Sequence, residues 1–284
     1  MHLDAIWRYP VKSMIGEPIG SAMLQTEGLL GDRGWATRDE VRGGIRGAKK
    51  IGGLMRFAAR YESEPTPDAP VKAVTITLPD GTEVSSTDPS VAAVVSGALD
   101  HEVTLWPLQP PEDLDHYRRG APDHDDLLEE VRDIFGRESD EPLPDFSMFP
   151  PEVIEFESPP GTYLDAYPIL VMTTAAFDAL SQALPDSVID VKRFRPNLVI
   201  DAGDSTGHPE LNWTGRTLAV GEVELEMVNA CQRCVMITRE VDDSIPVDRA
   251  VLRHVVRDLD QLVGMYATVS SPGTVCTGDP VELR

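Results

Sequence analysis

The residues best suited to chemistry in this 284-residue sequence are two cysteines, Cys231 and Cys234, in the run Cys231-Gln232-Arg233-Cys234. The apolar stretch Val223–Val228 leads towards them and predicts a strand, so the sequence predicts a thiol at a strand end with a permanent cation, Arg233, beside it. Thiolates bind soft metals and attack electrophiles, and a nearby positive charge lowers the pKa of a thiol. These residues are therefore the first candidates for a metal or nucleophilic site.

Three other interpretations of the cysteine pair stay open at this point. A structural zinc site normally needs four Cys or His ligands; only Cys276 remains, and no histidine pair has ligand spacing. A dithiol redox motif usually opens a helix of a βαβ unit, whereas the continuation Val235–Thr238 predicts a strand. The cysteines could also serve as two small buried apolar side chains, although the arginine between them makes that arrangement less favourable.

Basic residues recur at turns, several of them rich in glycine. They lie in the segments Tyr9–Ser13, Gly31–Gly34, Ala48–Lys50, Lys192–Asn197 and Gln232–Arg233. Arginine captures phosphate with paired hydrogen bonds, hydroxyl groups add further ones, and cysteine suits a soft metal. Together with the cysteine pair, these segments predict one pocket for a ligand that contains both phosphate and a metal.

The charge balance excludes several classes of partner. The chain has 25 Lys and Arg against 48 Asp and Glu, a net charge of −23, which repels nucleic acid and anionic membranes. No apolar run approaches the roughly 18 residues of a membrane span, and the first residues do not resemble a secretory signal. Three cysteines, an odd number, do not make a disulfide framework. The sequence therefore predicts a protein of the reducing cytoplasm.

Short apolar stretches broken by Gly and Pro predict many strands and few helices. Predicted strands are Leu3–Arg8, Lys72–Leu78, Thr82–Ser85, Val103–Leu108, Tyr167–Met172, Asn197–Asp201, Thr217–Val220, Val223–Val228, Val235–Thr238, Tyr266–Ser270 and Gly278–Leu283. The pair Asp80-Gly81 predicts a hairpin turn. Predicted helices cover Asp88–Leu99, Asp125–Phe135, Ala175–Ala183 and Val247–Leu262. This pattern favours a mainly β fold with some α structure and a barrel-like core.

The proline-rich and acidic segment 109–160 divides the chain. It predicts a mostly loop-like and mobile connection between an N-terminal unit, residues 1–108, and a C-terminal unit, residues 161–284. In the C-terminal unit, Thr173 and Thr174 stand between a predicted strand and a helix, where their hydroxyl groups can cap the helix or face an anion.

Five motifs in order give the chain a resemblance to a known family. They are Tyr9–Ser13, Gly31–Arg33, Phe194–Asn197, Cys231–Cys234, and Pro272–Val275 with Gly278–Val281. In this order they resemble the MOSC-domain superfamily, and in particular those members that pair an N-terminal MOSC β-barrel domain with a MOSC domain. Among these are the mitochondrial amidoxime-reducing component and its bacterial relatives. The resemblance extends nearly from end to end and is weakest over 109–160.

The resemblance implies a molybdenum cofactor, a pterin phosphate whose dithiolene holds the metal, with a protein cysteine as a further ligand. In the family pattern that ligand is the second cysteine, here Cys234, which thus becomes the predicted metal-binding and catalytic residue. The implied pterin and phosphate contacts are Lys12, Ser13, Arg33, Arg195, Asn197 and Arg233, with Thr173 and Thr174 as looser matches. The arginines are expected to converge on one cleft with Lys12.

The resemblance also implies an activity, the reduction of N-hydroxylated small molecules at molybdenum. Some family members carry a fused iron–sulfur domain, whereas this sequence ends at Arg284 and has no cysteine quartet. A separate electron-donor protein is therefore expected. The alternative function is a carrier module that holds the cofactor, or a sulfur atom on Cys234, for delivery to another enzyme.

Overall fold

The structure is a computed structural model that describes residues 1–149 and 151–284, without the side chains at 153 and 154. Position 150, inside the predicted connection 109–160, lies outside the described residues. The strands are β1 His2–Arg8, β2 Glu17–Ile19, β3 Ser21–Gln25, β4 Gly28–Leu29, β5 Trp35–Asp39, β6 Ala58–Tyr61, β7 Val74–Thr77, β8 Glu83–Ser85, β9 Val103–Pro107, β10 Ile169–Thr173, β11 Leu198–Asp201, β12 Thr217–Val220, β13 Val223–Gln232, β14 Leu262–Ser271, β15 Gly273–Cys276 and β16 Val281–Leu283. The α-helices are α1 Val91–Leu99, α2 Leu114–Tyr117, α3 Leu127–Phe135, α4 Glu152–Glu155, α5 Thr174–Ala183, α6 Val191–Phe194 and α7 Arg249–Asp258. The mainly β class is confirmed.

An eight-stranded sheet forms the frame of the molecule. Its strand order is β16-β12-β13-β14-β10-β11-β1-β2, in which β10 and β11 pair in parallel and the other neighbours pair antiparallel. Within the described residues this strand order does not form a closed barrel, although backbone hydrogen bonds join the start of β1 to the residues around the start of β16. Alternating apolar side chains of β1, β10, β12, β13 and β14 point to one face and form the largest apolar core.

Two strands of the N-terminal half pair with strands of the C-terminal half. Strand β1 pairs with β11, and β3 pairs with β15 near the C-terminus. The other N-terminal strands, β5 to β9, and α1 surround a second core that also takes in Met236, Val241 and Ile245 from the C-terminal half, with Cys234 packed against it. The two halves are thus packed on each other, and Cys234 lies at their junction. The predicted division at 108 and 160 stays a prediction.

Several local predictions are confirmed because their signals are short-range. The hairpin around Asp80-Gly81 forms between β7 and β8, with Gly81 at a φ of +85°. Thr173 caps α5, and its hydroxyl oxygen accepts a 3.1 Å hydrogen bond from the N–H of Ala176.

Two predictions about connecting segments are wrong. Residues Val235–Thr238 form one turn of 3₁₀ helix with Cys234 as the N-cap, not a strand. Three β-branched residues favour a strand by propensity, but hydrogen bonds from the Arg239 N–H to the Met236 carbonyl, at 3.0 Å, and from the Thr238 hydroxyl to the Val235 carbonyl, at 2.8 Å, close the turn. The segment 109–160 contains α2, α3 and α4, where only one helix was predicted.

Candidate functional site

A cleft opens at the junction of the two halves, lined by residues from both of them.

 Its space, including the part open to solvent, is about 730 Å³. It is lined by side chains of four kinds: cations, one carboxylate, aromatic rings and the two thiols. Those that matter below are Arg33, Lys49, Phe135, Phe149, Asp165, Tyr167, Arg195, Asn197, Cys231, Arg233, Cys234 and Tyr266.

Cys234 is the half-buried thiol of the pair, and Cys231 is buried. Burial raises the pKa of the Cys234 thiol, while the Lys49 ammonium group and the N–H of Met236 act in the opposite direction. The net rise corrects the expectation that an adjacent cation would lower this pKa. Cys276 lies exposed in β15, in a different sheet, and does not line the cleft.

The Arg233 guanidinium contacts Cys231 and Phe194 instead of the Cys234 thiol, so it does not lower the pKa of Cys234 as expected. Its Nη1 lies 3.4 Å from the sulfur of Cys231, its Nη2 donates to the carbonyl of Phe194 at 2.9 Å, and its Nε has no hydrogen-bond partner among the described residues. The guanidinium lies over the Phe194 ring, 5.2 Å from its centroid, and the residue is 6% exposed. A buried donor thus remains available in the cleft wall.

Arg195 is a second buried arginine with an N–H donor that lacks a partner among the described residues. Its Nη1 donates to the carbonyl of Met14 at 2.5 Å, and its Nη2 is buried without a partner among the described residues. The guanidinium lies 4.2 Å from the centroid of the Tyr9 ring, and burial lowers its pKa to about 10. No described carboxylate forms an ion pair with Arg195 or Arg233. An unpaired buried cation is costly, and an anion in the cleft would remove that cost.

Arg33 approaches the same Tyr9 ring from the turn after β4, with its Cζ 5.2 Å from the centroid. It forms a close ion pair with Asp32. Burial alone would lower the pKa of Arg33, but Asp32 raises it above its usual value. Asn197 holds Asp32 in place through a 3.0 Å hydrogen bond from Nδ2.

Backbone strain is concentrated at predicted site residues. Ser13, Arg33 and Arg195 have φ values of 71°, 51° and 59°, although none of them is glycine. A left-handed backbone conformation costs on the order of 1 kcal/mol or more at such residues and occurs often at functional sites. The fold thus holds two cleft-lining arginines in unfavourable backbone conformations.

Asp165 is the carboxylate of the cleft, and two lysines share it. Its Oδ1 lies 2.9 Å from the Nζ of Lys12 and 3.2 Å from the Nζ of Lys49. Burial would raise the pKa of Asp165, but the two ammonium groups hold it well below its usual range. One carboxylate does not balance two lysines and the unpaired arginines, so the cleft is suited to an anionic ligand.

Comparisons with known proteins agree with this geometry. The family described as MOSC N-terminal beta barrel domain matches residues 1–107, and the MOSC domain family matches residues 159–282. The chain belongs to the MOSC-domain superfamily. Mitochondrial amidoxime-reducing component 1 of Homo sapiens is 26% identical over 98% of this chain and 81% of its own length. Component 2 of Homo sapiens is 25% identical, over 97% and 81%.

Two solved structures are also similar to this MOSC protein. The YuaD protein from Bacillus subtilis has a TM-score of 0.45 and 11% identity, covering 99% of this chain and 93% of that one. YiiM from Escherichia coli has a TM-score of 0.32 and 19% identity, covering 42% and 54%.

The structure brings together five of the residues that the family pattern selects. Arg33, Arg195, Asn197, Arg233 and Cys234 line the cleft. Their contacts with a cofactor stay predictions.

Four residues selected by the pattern are not among the cleft-lining residues. Lys12 is 4% exposed, and its Nζ donates to Ser158, to the carbonyl of Tyr163 and to Asp165, so it positions Asp165. The hydroxyl oxygen of Ser13 accepts a 2.9 Å bond from the N–H of Ala48 and so positions the loop that carries Lys49.

Thr173 and Thr174 are the other two predicted residues that do not line the cleft. The Thr173 hydroxyl donates to buried Glu210 at 2.7 Å and caps α5, and Thr174 is the first residue of that helix. The cleft is lined by residues that precede β10 and by Leu170 within it, while Thr173 ends the strand. The placement favours a capping role over a cofactor contact.

The turn Gly31–Gly34 packs closely against neighbouring side chains at its two glycines. A Cβ on Gly31 would lie 2.7 Å from Pro65, and one on Gly34 would lie 2.5 Å from the Tyr61 hydroxyl. The glycines allow close packing of the turn that carries Arg33.

The sequence analysis did not name Lys49, Asp165, Phe135, Phe149 or Tyr266 as individual site residues, although all of them line the cleft. Lys49 belongs to a basic cluster, which was a usable signal. The other four come from segments with no recognisable motif, and only long-range packing brings them to the cysteines.

Lys50, beside Lys49, has a structural role that we expect to be measurable. Its Nζ lies 2.8 Å from Glu130, 3.2 Å from Asp123 and 3.2 Å from Asp133. Replacing Lys50 with Met should lower the free energy of unfolding at pH 7 by about 1–3 kcal/mol, because it removes the cation that these three carboxylates share. Urea denaturation measures this, and an equal stability of variant and wild type would contradict it.

The pH dependence of the Lys50→Met effect follows from the carboxyl groups. Burial would raise the pKa of Asp123 and Glu130, but Lys50 helps to lower both below their usual values. The contribution of these two carboxylates to the free energy of unfolding is fully present above their unfolded pKa of ~4. It is lost as the pH falls through their lowered pKa values in the folded protein. The difference in stability should therefore shrink below about pH 4. Arg60→Met, which removes an exposed ion pair with Glu83, is the control and should cost less than about 1 kcal/mol.

No helix among the described residues is both long and apolar enough to cross a membrane.

Proposed function

We propose that this MOSC protein binds a molybdenum cofactor in the cleft, with Cys234 as the protein ligand, and reduces N-hydroxylated small molecules there. The observation that carries the proposal is the pair of buried arginines, Arg195 and Arg233, each with an N–H donor free of any described partner and both lining the cleft that holds Cys234. The relatives named amidoxime-reducing components support the same activity.

The residues of the cleft fit the two chemically different parts of such a cofactor. The soft sulfur of Cys234 suits molybdenum, and the free donors of Arg195 and Arg233 suit a phosphate. Arg33 and Lys49 add positive charge, and both are partly balanced by carboxylates that hold them in place.

When bound, the cofactor would supply the two-electron redox chemistry of the metal. The protein would contribute ligation by Cys234, an anion-binding wall and exclusion of water by the aromatic side of the cleft. The overall reaction breaks the N–O bond of the substrate, consumes two electrons and two protons, and releases water.

The electrons are expected from a separate donor protein in the cytoplasm, which stays a prediction. The sequence shows no G-x-G-x-x-G fingerprint between a strand and a helix, so direct use of a nicotinamide is not expected.

Purified protein loaded with molybdenum should therefore reduce benzamidoxime with a reduced viologen and should not do so with NADH alone. Formation of benzamidine, followed by chromatography, measures the turnover. Cys234→Ala protein is the control and should be inactive with both reductants. Turnover with NADH and no second protein would contradict the donor prediction. If fully loaded protein reduced no N-hydroxylated compound, the carrier function would replace the reductase function.

A further inference from the structure

One side of the cleft is aromatic and comes from the segment that resembles the family least. Phe135, at the end of α3, and Phe149 line the cleft, and each lies 6.1 Å from the other between ring centroids. Tyr167 and Tyr266 line the cleft as well, with their ring centroids 5.2 Å apart. We refer to residues 135–149 as the wall segment.

The wall segment is attached directly to the residues around Cys234. Gln232 forms two hydrogen bonds with the backbone of Asp145, one accepted from its N–H at 2.9 Å and one donated to its carbonyl at 2.8 Å. Arg137 donates to the carbonyl of Arg233 at 2.9 Å. These bonds hold the segment beside the thiol.

Two further contacts fix the start of the segment. A Cβ on Gly136 would lie 3.2 Å from the Cβ of Val235, so the end of α3 lies against the residue that follows Cys234. Glu141, which is 5% exposed, accepts hydrogen bonds from Arg253 and Arg257 of α7. The expectation of a loose connection does not apply to this part of the segment.

We propose that Phe135 and Phe149 determine substrate specificity by selecting N-hydroxylated compounds whose N–OH group is attached to a flat aromatic body. This inference rests on the proposed function. The cleft is lined by cations and the thiol as well as by these rings, and the ring of Phe149 can offer an uncharged face against which an aromatic group stacks. A substrate with its N–OH group near Cys234 would place its body against this face.

The test compares two amidoximes that differ only in their body, benzamidoxime with a phenyl group and acetamidoxime with a methyl group. Both reactions break one N–O bond, take two electrons from reduced viologen, take two protons from water and release one water molecule. We expect wild type to have the higher kcat/KM for benzamidoxime. Phe149→Ala should lower that value by about 10-fold or more, mainly through KM, and change the value for acetamidoxime by less than about 3-fold.

Matched variants separate stacking from folding. Phe149→Leu keeps an apolar side chain and should retain more of the benzamidoxime preference than Phe149→Ala. Leu127→Ala is the control, because Leu127 begins α3, the helix that ends at Phe135, but is 75% exposed and does not line the cleft. It should leave the ratio of the two kcat/KM values unchanged. Molybdenum content, measured for each variant, normalises the rates.

Calorimetric binding of benzamidoxime to molybdenum-loaded protein without reductant gives a readout besides turnover. Wild type should bind it more tightly than Phe149→Ala by about 10-fold. If binding shows this difference but no amidoxime is reduced, the proposed function fails and the aromatic wall stands. An equal fall in kcat/KM for both amidoximes in Phe149→Ala would refute the proposed role in specificity. A wild type without preference for benzamidoxime would refute it as well.

Discussion

Replacing Cys234 with Ala should abolish the retention of molybdenum, with a loss of affinity of more than about 100-fold. Removing a group that only supports a metal ligand already costs 10- to 100-fold, and removing the ligand itself should cost more. Cys234 is half-buried and lines the cleft at the junction of the two halves, where a metal can reach its sulfur. Elemental analysis of protein expressed with ample molybdate measures the effect.

Cys231→Ala is the matched control for this prediction. The Cys231 sulfur is buried and lies 3.4 Å from Nη1 of Arg233, so its loss should disturb the cleft without removing the ligand. We expect this variant to retain more molybdenum than Cys234→Ala. Equal molybdenum in wild type and Cys234→Ala would refute the assignment. Equal loss in both single variants would favour a site that uses the two thiols together.

Replacing Arg195 with Met should lower cofactor content strongly while leaving the cofactor-free protein as stable as wild type or more stable. A hydrogen bond to a charged group contributes about 1.5–3 kcal/mol, which corresponds to roughly 10- to 100-fold in affinity. In the cofactor-free protein, however, Arg195 is a buried cation without a carboxylate partner among the described residues, and its pKa is lowered to about 10 by burial. An apolar side chain of similar length removes that cost.

Arg193 provides an internal comparison two positions away. It is 1% exposed, and its guanidinium donates to the carbonyls of Val188 at 2.9 Å, Arg239 at 3.0 Å and Pro246 at 2.6 Å. Arg193→Met leaves these buried acceptors unpaired and should lower the free energy of unfolding by about 2–4 kcal/mol.

The two arginine variants thus have opposite expected effects on the cofactor-free protein. Thermal unfolding and the molybdenum and pterin content of each variant measure them together. A large fall in the stability of cofactor-free Arg195→Met, or an undiminished cofactor content, would show that Arg195 has a structural role like that of Arg193.

The sequence by itself determined the parts of this protein that depend on short-range signals. The hairpin at Asp80-Gly81 and the cap at Thr173 follow from turn and capping chemistry within a few residues. The order of the motifs also indicated the family and selected five residues that line the cleft, because a motif records residue types without reference to their distance in space.

Only the tertiary structure decided the direction and environment of the side chains. Sequence proximity suggested that Arg233 would lower the pKa of Cys234, but Arg233 points towards Phe194 and burial raises that pKa. Residues Val235–Thr238 form a 3₁₀ helix against the strand propensity of three of them, with Met236 and Ile237 buried.

The composition of the cleft also depended on contacts between distant segments. Asp165 balances Lys12 and Lys49, which lie more than a hundred residues earlier, and Phe149 reaches the thiols through Gln232. No local pattern marks such residues, because burial and charge pairing are properties of the packed chain. The sequence therefore determined which groups could do chemistry, and tertiary packing decided which of them face the same cleft.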